Sequence, residues 1–131
     1  MKLSRVMLHL SFVLLLAGCG CGGNEDAVRK MRAMPKERLA ALYQYIESVD
    51  SSRKKSNPII MSFDKDPIPK EISDLDPKYL RVDGLGGSIH ISGCVDDKIY
   101  LFFDGLESPD SKKKITLTLG EWKGSETLWE Q

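Results

Sequence analysis

Residues 79–104 read YLRVDGLGGSIHISGCVDDKIYLFFD, and apolar side chains alternate with other side chains along three runs of this stretch. The alternating apolar residues are Leu80 and Val82, then Ile89 and Ile91, then Ile99, Leu101 and Phe103. A period of two places alternate side chains on one face of a β-strand. Turn-forming segments at Gly84–Gly87 and at residues 95–97 separate the runs. The stretch therefore predicts antiparallel strands joined in a meander.

The pattern extends on both sides of this stretch. A fourth run follows at residues 115–119, after turn residues at 104–110, and a fifth strand is predicted near residues 127–130, after a turn at 123–125. Upstream, four aliphatic residues recur at helical spacing after Pro35: Leu39, Leu42, Ile46 and Val49. The fold prediction is α+β: one amphipathic helix packed on a four- to five-stranded antiparallel sheet, in a small domain of residues 35–131.

The segment between the helix and the meander is harder to place. Residues 59–63 predict a short strand, residues 71–75 predict one helical turn, and Pro67 and Pro69 exclude a central strand between them. Tyr100 and Phe102 lie on the opposite face of their strand from Leu101. We expect residues 59–63 to cover that aromatic face. If they do not, the face offers an aromatic patch to a partner.

Composition and charge indicate an ordinary globular domain. The chain has 131 residues, of which 41% are hydrophobic and 29% are charged. Removing residues 1–18 takes away Lys2 and Arg5 but no acidic residue, which leaves 17 basic and 19 acidic residues. This balance argues against nucleic-acid binding. The basic runs at residues 53–55 and 112–114 are interpreted as solvated turns, with contact to anionic lipid headgroups as the alternative.

The first 18 residues have the outline of a secretory signal peptide. Lys2 and Arg5 precede the apolar stretch Val6–Leu16. The small residues Ala17 and Gly18 follow this stretch. As a helix this stretch would be roughly 16 Å long, about half of the hydrocarbon core of a bilayer. It is therefore too short for a comfortable transmembrane span.

Leu16, Ala17, Gly18 and Cys19 follow one another at the end of this stretch. These four residues resemble the lipobox of bacterial lipoproteins. The resemblance covers only the leader, and it implies transfer of diacylglycerol to the Cys19 sulfur and cleavage before Cys19. It also implies acylation of the new amino terminus in many bacteria. Cys21 is the rival anchor, but it lacks the preceding Leu of the motif.

The lipid on Cys19 would attach the protein to a membrane in the cell envelope. Gly20 stands where Asp would favour the inner membrane in enteric bacteria, so the resemblance favours the outer membrane, facing the periplasm, if the host has two membranes. Residues 19–34 are predicted to be the lipidated Cys19 and a flexible tether, because residues 20–24 are rich in glycine.

Few residues suggest catalysis or metal binding. After removal of the leader His90 is the only histidine, so no metal, cofactor or catalytic site is predicted. Cys94 could pair with His90 as a thiol–imidazole dyad, form a disulfide with Cys21, or be a small buried residue. The acidic pairs are interpreted as turn formers and the glycines as hairpin residues: Asp64 and Asp66, Asp96 and Asp97, and Gly84, Gly86 and Gly87.

Three functional hypotheses remain open. The first is a membrane-anchored envelope lipoprotein with a non-enzymatic protein-binding domain of the inhibitor, immunity or assembly-accessory type. The second is a structural envelope lipoprotein without a specific partner, and the third is a small hydrolase that uses Cys94 and His90. Trp122 and Trp129 are interpreted as core or rim residues, since two tryptophans do not make a sugar-binding platform.

Overall fold

The computed structural model describes residues 23–54, 57–91, 98–107, 109–120 and 124–131. Two helices come first, α1 (Gly23–Arg32) and α2 (Lys36–Ser52), followed by strand β1 (Ile59–Ser62) and a 3-10 helix (Lys70–Leu75). Five further strands follow: β2 (Tyr79–Asp83), β3 (Gly86–His90), β4 (Ile99–Asp104), β5 (Lys114–Leu119) and β6 (Ser125–Glu130). Within these residues no helix combines the length and apolar character needed to cross a membrane.

The strands form one antiparallel sheet in the order β1-β2-β3-β4-β5-β6. This confirms the α+β class and the meander, although the sheet has six strands rather than four or five. The predicted strand at residues 59–63 is the sixth, because it pairs with β2 at the edge of the same sheet. The helical turn predicted at 71–75 is the 3-10 helix.

The alternation seen in the sequence produces one buried sheet face. Leu80, Ile89, Leu101 and Leu117 lie on that face and are fully buried. Helix α2 covers them with residues from one side of the helix: Leu39, Leu42, Tyr43 and Ile46. Each fully buried side chain of this size contributes roughly 1.5–3 kcal/mol, so this two-layer core is the main source of stability.

Helix α1 corrects the predicted boundary between tether and domain. Residues 23–32 are helical, and Ala27, Val28, Met31 and Met34 belong to the hydrophobic core. The prediction of a flexible tether to residue 34 is therefore wrong for this segment. Its apolar residues follow helical spacing, whereas its many charged residues face solvent and give it the composition of a linker.

The position of β1 corrects a second expectation. Residues 59–63 were expected to cover the Tyr100 side of the sheet, but β1 lies beside β2 in the plane of the sheet. Both helices pack on the opposite face. No described element covers the face that carries Tyr100 and Phe102, which we call the open face.

Candidate functional site

The strand register places the side chains of the open face in rows that run across the sheet. One row consists of Ser62, Tyr79, His90, Tyr100 and Thr118. The next row consists of Ile60, Arg81, Ser88, Phe102 and Thr116. Four aromatic or imidazole rings from β2, β3 and β4 therefore meet in the middle of the face.

These rings contact one another in sequence. The His90 ring lies 5.0 Å from the Tyr79 ring and 5.0 Å from the Tyr100 ring, measured between centroids. Its plane is 27° from that of Tyr100, which is a stacked arrangement. Tyr100 in turn lies 5.7 Å from Phe102. Such ring contacts are worth roughly 0.5–1.5 kcal/mol each beyond the area they bury, so the row is a rigid surface.

His90 is held as a neutral ring inside this row. Burial lowers its pKa, and the positive charges of Lys98 and Lys78 lower it further. Among the described residues, neither ring nitrogen has a hydrogen-bond partner, and both nitrogens are buried. A base must reach its substrate within hydrogen-bond distance, so a ring enclosed in this way supports the aromatic row and is badly placed for proton transfer.

The pKa of Tyr100, which contacts His90, is also shifted. Burial raises the pKa of Tyr100. An interaction with the hydroxyl of Tyr79, on the other side of His90, raises this pKa further. Tyr100 therefore stays protonated at neutral pH. The row carries no net charge, and its flat rings suit apolar and aromatic contacts.

Apolar side chains around the row remain in contact with solvent. Phe102 is 38% exposed. Ile60 lies on β1, beside Arg81 of β2, and is 62% exposed. Tyr79 and Leu85 are the other exposed large apolar residues near this face. Single exposed apolar residues are ordinary, but several gathered on one uncovered face indicate a contact surface.

A shallow notch of about 190 Å³ lies beside Phe102 at the β2–β3 turn. Arg81 and Asp83 form an ion pair there at 3.4 Å, and the amide of Leu85 donates to Asp83 at 2.9 Å. That backbone hydrogen bond, followed by Arg81, holds the pKa of Asp83 below its usual value. The notch therefore places fixed charges beside the group of rings.

A second concavity lies on the other side of the sheet, between α2 and the end of β6. This groove, which we call the α2–β6 groove, has a volume of about 470 Å³ and is lined by residues that include Ala40, Gln44 and Trp129. Tyr43 forms its floor, 5.1 Å from the Trp129 ring. Lys113 and Glu47 form an ion pair at its side, 2.9 Å apart.

Tyr43 is fixed within the groove floor. Its hydroxyl donates a hydrogen bond of 2.5 Å to the backbone oxygen of Asp104. Burial raises its pKa to about 12, with smaller contributions from Glu47, Asp104 and Asp50. The phenol therefore stays protonated and acts as a structural link between α2 and β4.

Several residues singled out in the sequence lie outside the described ranges. These are Cys19, Cys21, Cys94, Asp96, Asp97 and Trp122. The lipid attachment, the Cys21–Cys94 disulfide and the Cys94–His90 dyad therefore stay predictions. The sequence suggests a role for His90 only as a partner of Cys94, and it suggests none for Tyr79. The strand register brings both residues together with Tyr100, and no local pattern encodes that register.

The remaining predicted residues have structural roles. Asp64 accepts a hydrogen bond from Ser62, and the Asp66 amide closes a turn to the Ser62 oxygen at 2.9 Å, as expected for turn formers. Gly84 lies in the β2–β3 turn. Arg53 pairs with Asp50, and Lys112 pairs with Glu130 at 3.1 Å. Lys112 is exposed, in agreement with the interpretation of a solvated turn. Arg53 is partly buried and Lys114 is the first residue of β5, so that interpretation is wrong for these two residues.

Within the described ranges, no three His, Cys, Asp or Glu side chains are grouped so that they could hold a metal ion. Comparisons with protein-family models, with curated proteins and with solved structures found no match.

Proposed function

We propose that this protein is a lipid-anchored envelope lipoprotein whose domain binds another envelope protein through the open face. The supporting observation is the group of four contacting rings that no described element covers. Aromatic residues are enriched in protein interfaces because they bury much area with few rotatable bonds. A rigid row with exposed Phe102 and a charged rim has the composition of such an interface.

The anchor and the fold together limit where this face can act. With a lipid on Cys19 and helix α1 beginning at Gly23, four residue steps join the lipid to the folded domain. A fully extended chain spans at most roughly 3.6 Å per residue, or about 14 Å in total. The domain would therefore stay close to the membrane surface, and its partner is a membrane protein or a protein held near the same surface.

The open face is tested by capture with a paired control. Every buried apolar residue of the described chain lies between Ala27 and Leu117, so residues 23–131 serve as the folded domain. The immobilised domain should retain one stoichiometric protein from an envelope extract of its host. The double variant Tyr79→Ser and Phe102→Ser should retain at least about tenfold less, because interface aromatics often contribute 2 kcal/mol or more.

The control is Ile68→Ser, which removes a side chain as exposed as Phe102, 38% in both cases, from a loop between prolines. It should leave retention unchanged. An empty eluate from the wild-type domain, or equal retention by the double variant, would contradict the proposed function and favour a structural lipoprotein.

The anchor is tested by metabolic labelling. Cells that express the full chain are grown with a radioactive fatty acid. The wild-type protein should carry the label and the Cys19→Ala variant should not, because only the thiol of Cys19 is placed for thioether formation. Cys21→Ala is the matched control and should keep the label. A label that persists in Cys19→Ala would refute the assignment and move it to Cys21.

A further inference from the structure

The sheet has two free edges, and they differ. Among the described elements β1 pairs only with β2, and β6 pairs only with β5. Strand β1 has four residues and follows Pro58, which are features that limit pairing at an edge. Strand β6 has six residues without proline or lysine. The edge of β6 is therefore the better template for an added strand.

The hydrogen-bond pattern identifies which backbone groups of β6 point outward. The Leu119 amide donates to Gly124, so these two residues form a hydrogen-bonded pair. Pairs in an antiparallel ladder alternate, so the pair of Thr127 with Thr116 is not hydrogen-bonded across the strands. The amide and carbonyl of Thr127 therefore face away from β5, toward the free edge of the sheet.

Charge defines the chemistry of the strand that would pair there. Glu126 and Glu130 are the only charged residues of β6, and both are acidic. Their ion pairs with Arg32 and Lys112 are solvent-exposed and therefore weak, so a stronger partner can replace them. A second copy of β6 would bring further carboxylates to the same edge, whereas a strand with Lys or Arg would complement it.

The α2–β6 groove provides room for side chains of an added strand. Residues of a strand alternate between the two faces of a sheet, so every second side chain of the incoming segment would point toward the helix layer. There it would meet the floor of Tyr43 and Trp129, beside α2. The bulge at Leu128 interrupts regular pairing, which favours a short segment over an extended sheet.

We propose that the edge of β6 binds a short extended segment of a partner protein that carries alternating apolar and basic residues. Main-chain hydrogen bonds to β6 provide affinity, and the groove selects the apolar side chains. Glu130 selects the basic ones, because it shares a sheet face with Lys114, away from the helix layer. This site is separate from the open face and does not rest on it.

The experiment measures binding of a fluorescent octapeptide of alternating valine and lysine to residues 23–131 by anisotropy. Thr127→Pro removes one outward amide, and proline is tolerated where an edge amide faces solvent. It should weaken binding by about tenfold or more, since a peptide carbonyl then loses its donor. Ile60→Pro is the matched control, because its amide also points outward, at the β1 edge, and it should leave binding unchanged.

Two further probes separate strand pairing from charge attraction. A peptide of the same sequence with an N-methyl group on every backbone amide should not bind, because neither edge can then donate to β6. Glu130→Lys should favour a valine–glutamate peptide over the valine–lysine one. Absence of binding by the wild type, equal binding by Thr127→Pro and Ile60→Pro, or equal binding of the methylated peptide would each overturn the proposal.

If circular dichroism shows that Thr127→Pro does not fold, the methylated peptide and Glu130→Lys decide. Peptide binding that survives Tyr79→Ser and Phe102→Ser distinguishes this site from the open face.

Discussion

Phe103→Ala should lower the free energy of unfolding by about 3–5 kcal/mol, the range found for large aromatic residues in protein cores. Phe103 is 1% exposed and lies 6.1 Å from the Tyr43 ring, between β4 and helix α2. Truncation would leave a cavity where the two layers meet, and the surrounding strands could close it only in part. Urea denaturation followed by circular dichroism measures the change.

The neighbouring residue is the matched control. Phe102 has the same side chain on the same strand, but it points to the open face. Phe102→Ala should cost about 1 kcal/mol or less, since it removes cross-strand and ring contacts at a solvated surface. Equal losses for the two variants would mean that the open face is buried after all, and would remove the basis for the proposed function.

The contrast between these two phenylalanines also shows how far the sequence can predict the fold. Alternation alone assigned Leu101 and Phe103 to the core, because two sheet faces with different surroundings select different residues. It also located β2, β4 and β5 and helix α2. It could not place β1, because a short strand has the same pattern whether it pairs at an edge or crosses another layer. The long-range pairing between strands decides where β1 lies, and no local pattern in the sequence indicates that pairing.

The candidate site was predictable to a smaller extent. The sequence identified Tyr100 and Phe102 as a pair on one face, but not their contacts with Tyr79 and His90. Those contacts depend on the register between strands, which the lengths of the connecting segments determine. His90 shows the consequence: from the sequence it is a candidate base, whereas its two tyrosine neighbours make it part of a packed surface.

Helix α1 shows a different kind of error. Its three core residues, Ala27, Val28 and Met31, have helical spacing, so the signal was present in the sequence. Charged residues between them and glycines before them have the composition of a linker, and composition outweighed periodicity in the prediction. With the proposed lipid anchor the distinction matters, because a helix in the core would hold the domain near that anchor, whereas a tether would release it.

Met31→Asp should abolish cooperative unfolding or lower the free energy of unfolding by more than about 4 kcal/mol, because it places an unpaired charge in the core. Met31 is fully buried. A flexible tether would tolerate this change without loss of stability. Urea denaturation of residues 23–131 measures the effect on the core, and trypsin cleavage after Arg29, Lys30 and Arg32 measures release of the helix.

Ala33→Asp is the control for Met31→Asp, because it adds the same charge at an exposed position just after the helix. An acidic residue near a helix C-terminus costs about 1 kcal/mol or less, so this variant should stay folded and resist trypsin. Similar small losses for both variants would show that α1 does not pack in the core. In that case the distance of about 14 Å between lipid and domain would no longer hold, since the tether would then extend as far as residue 34.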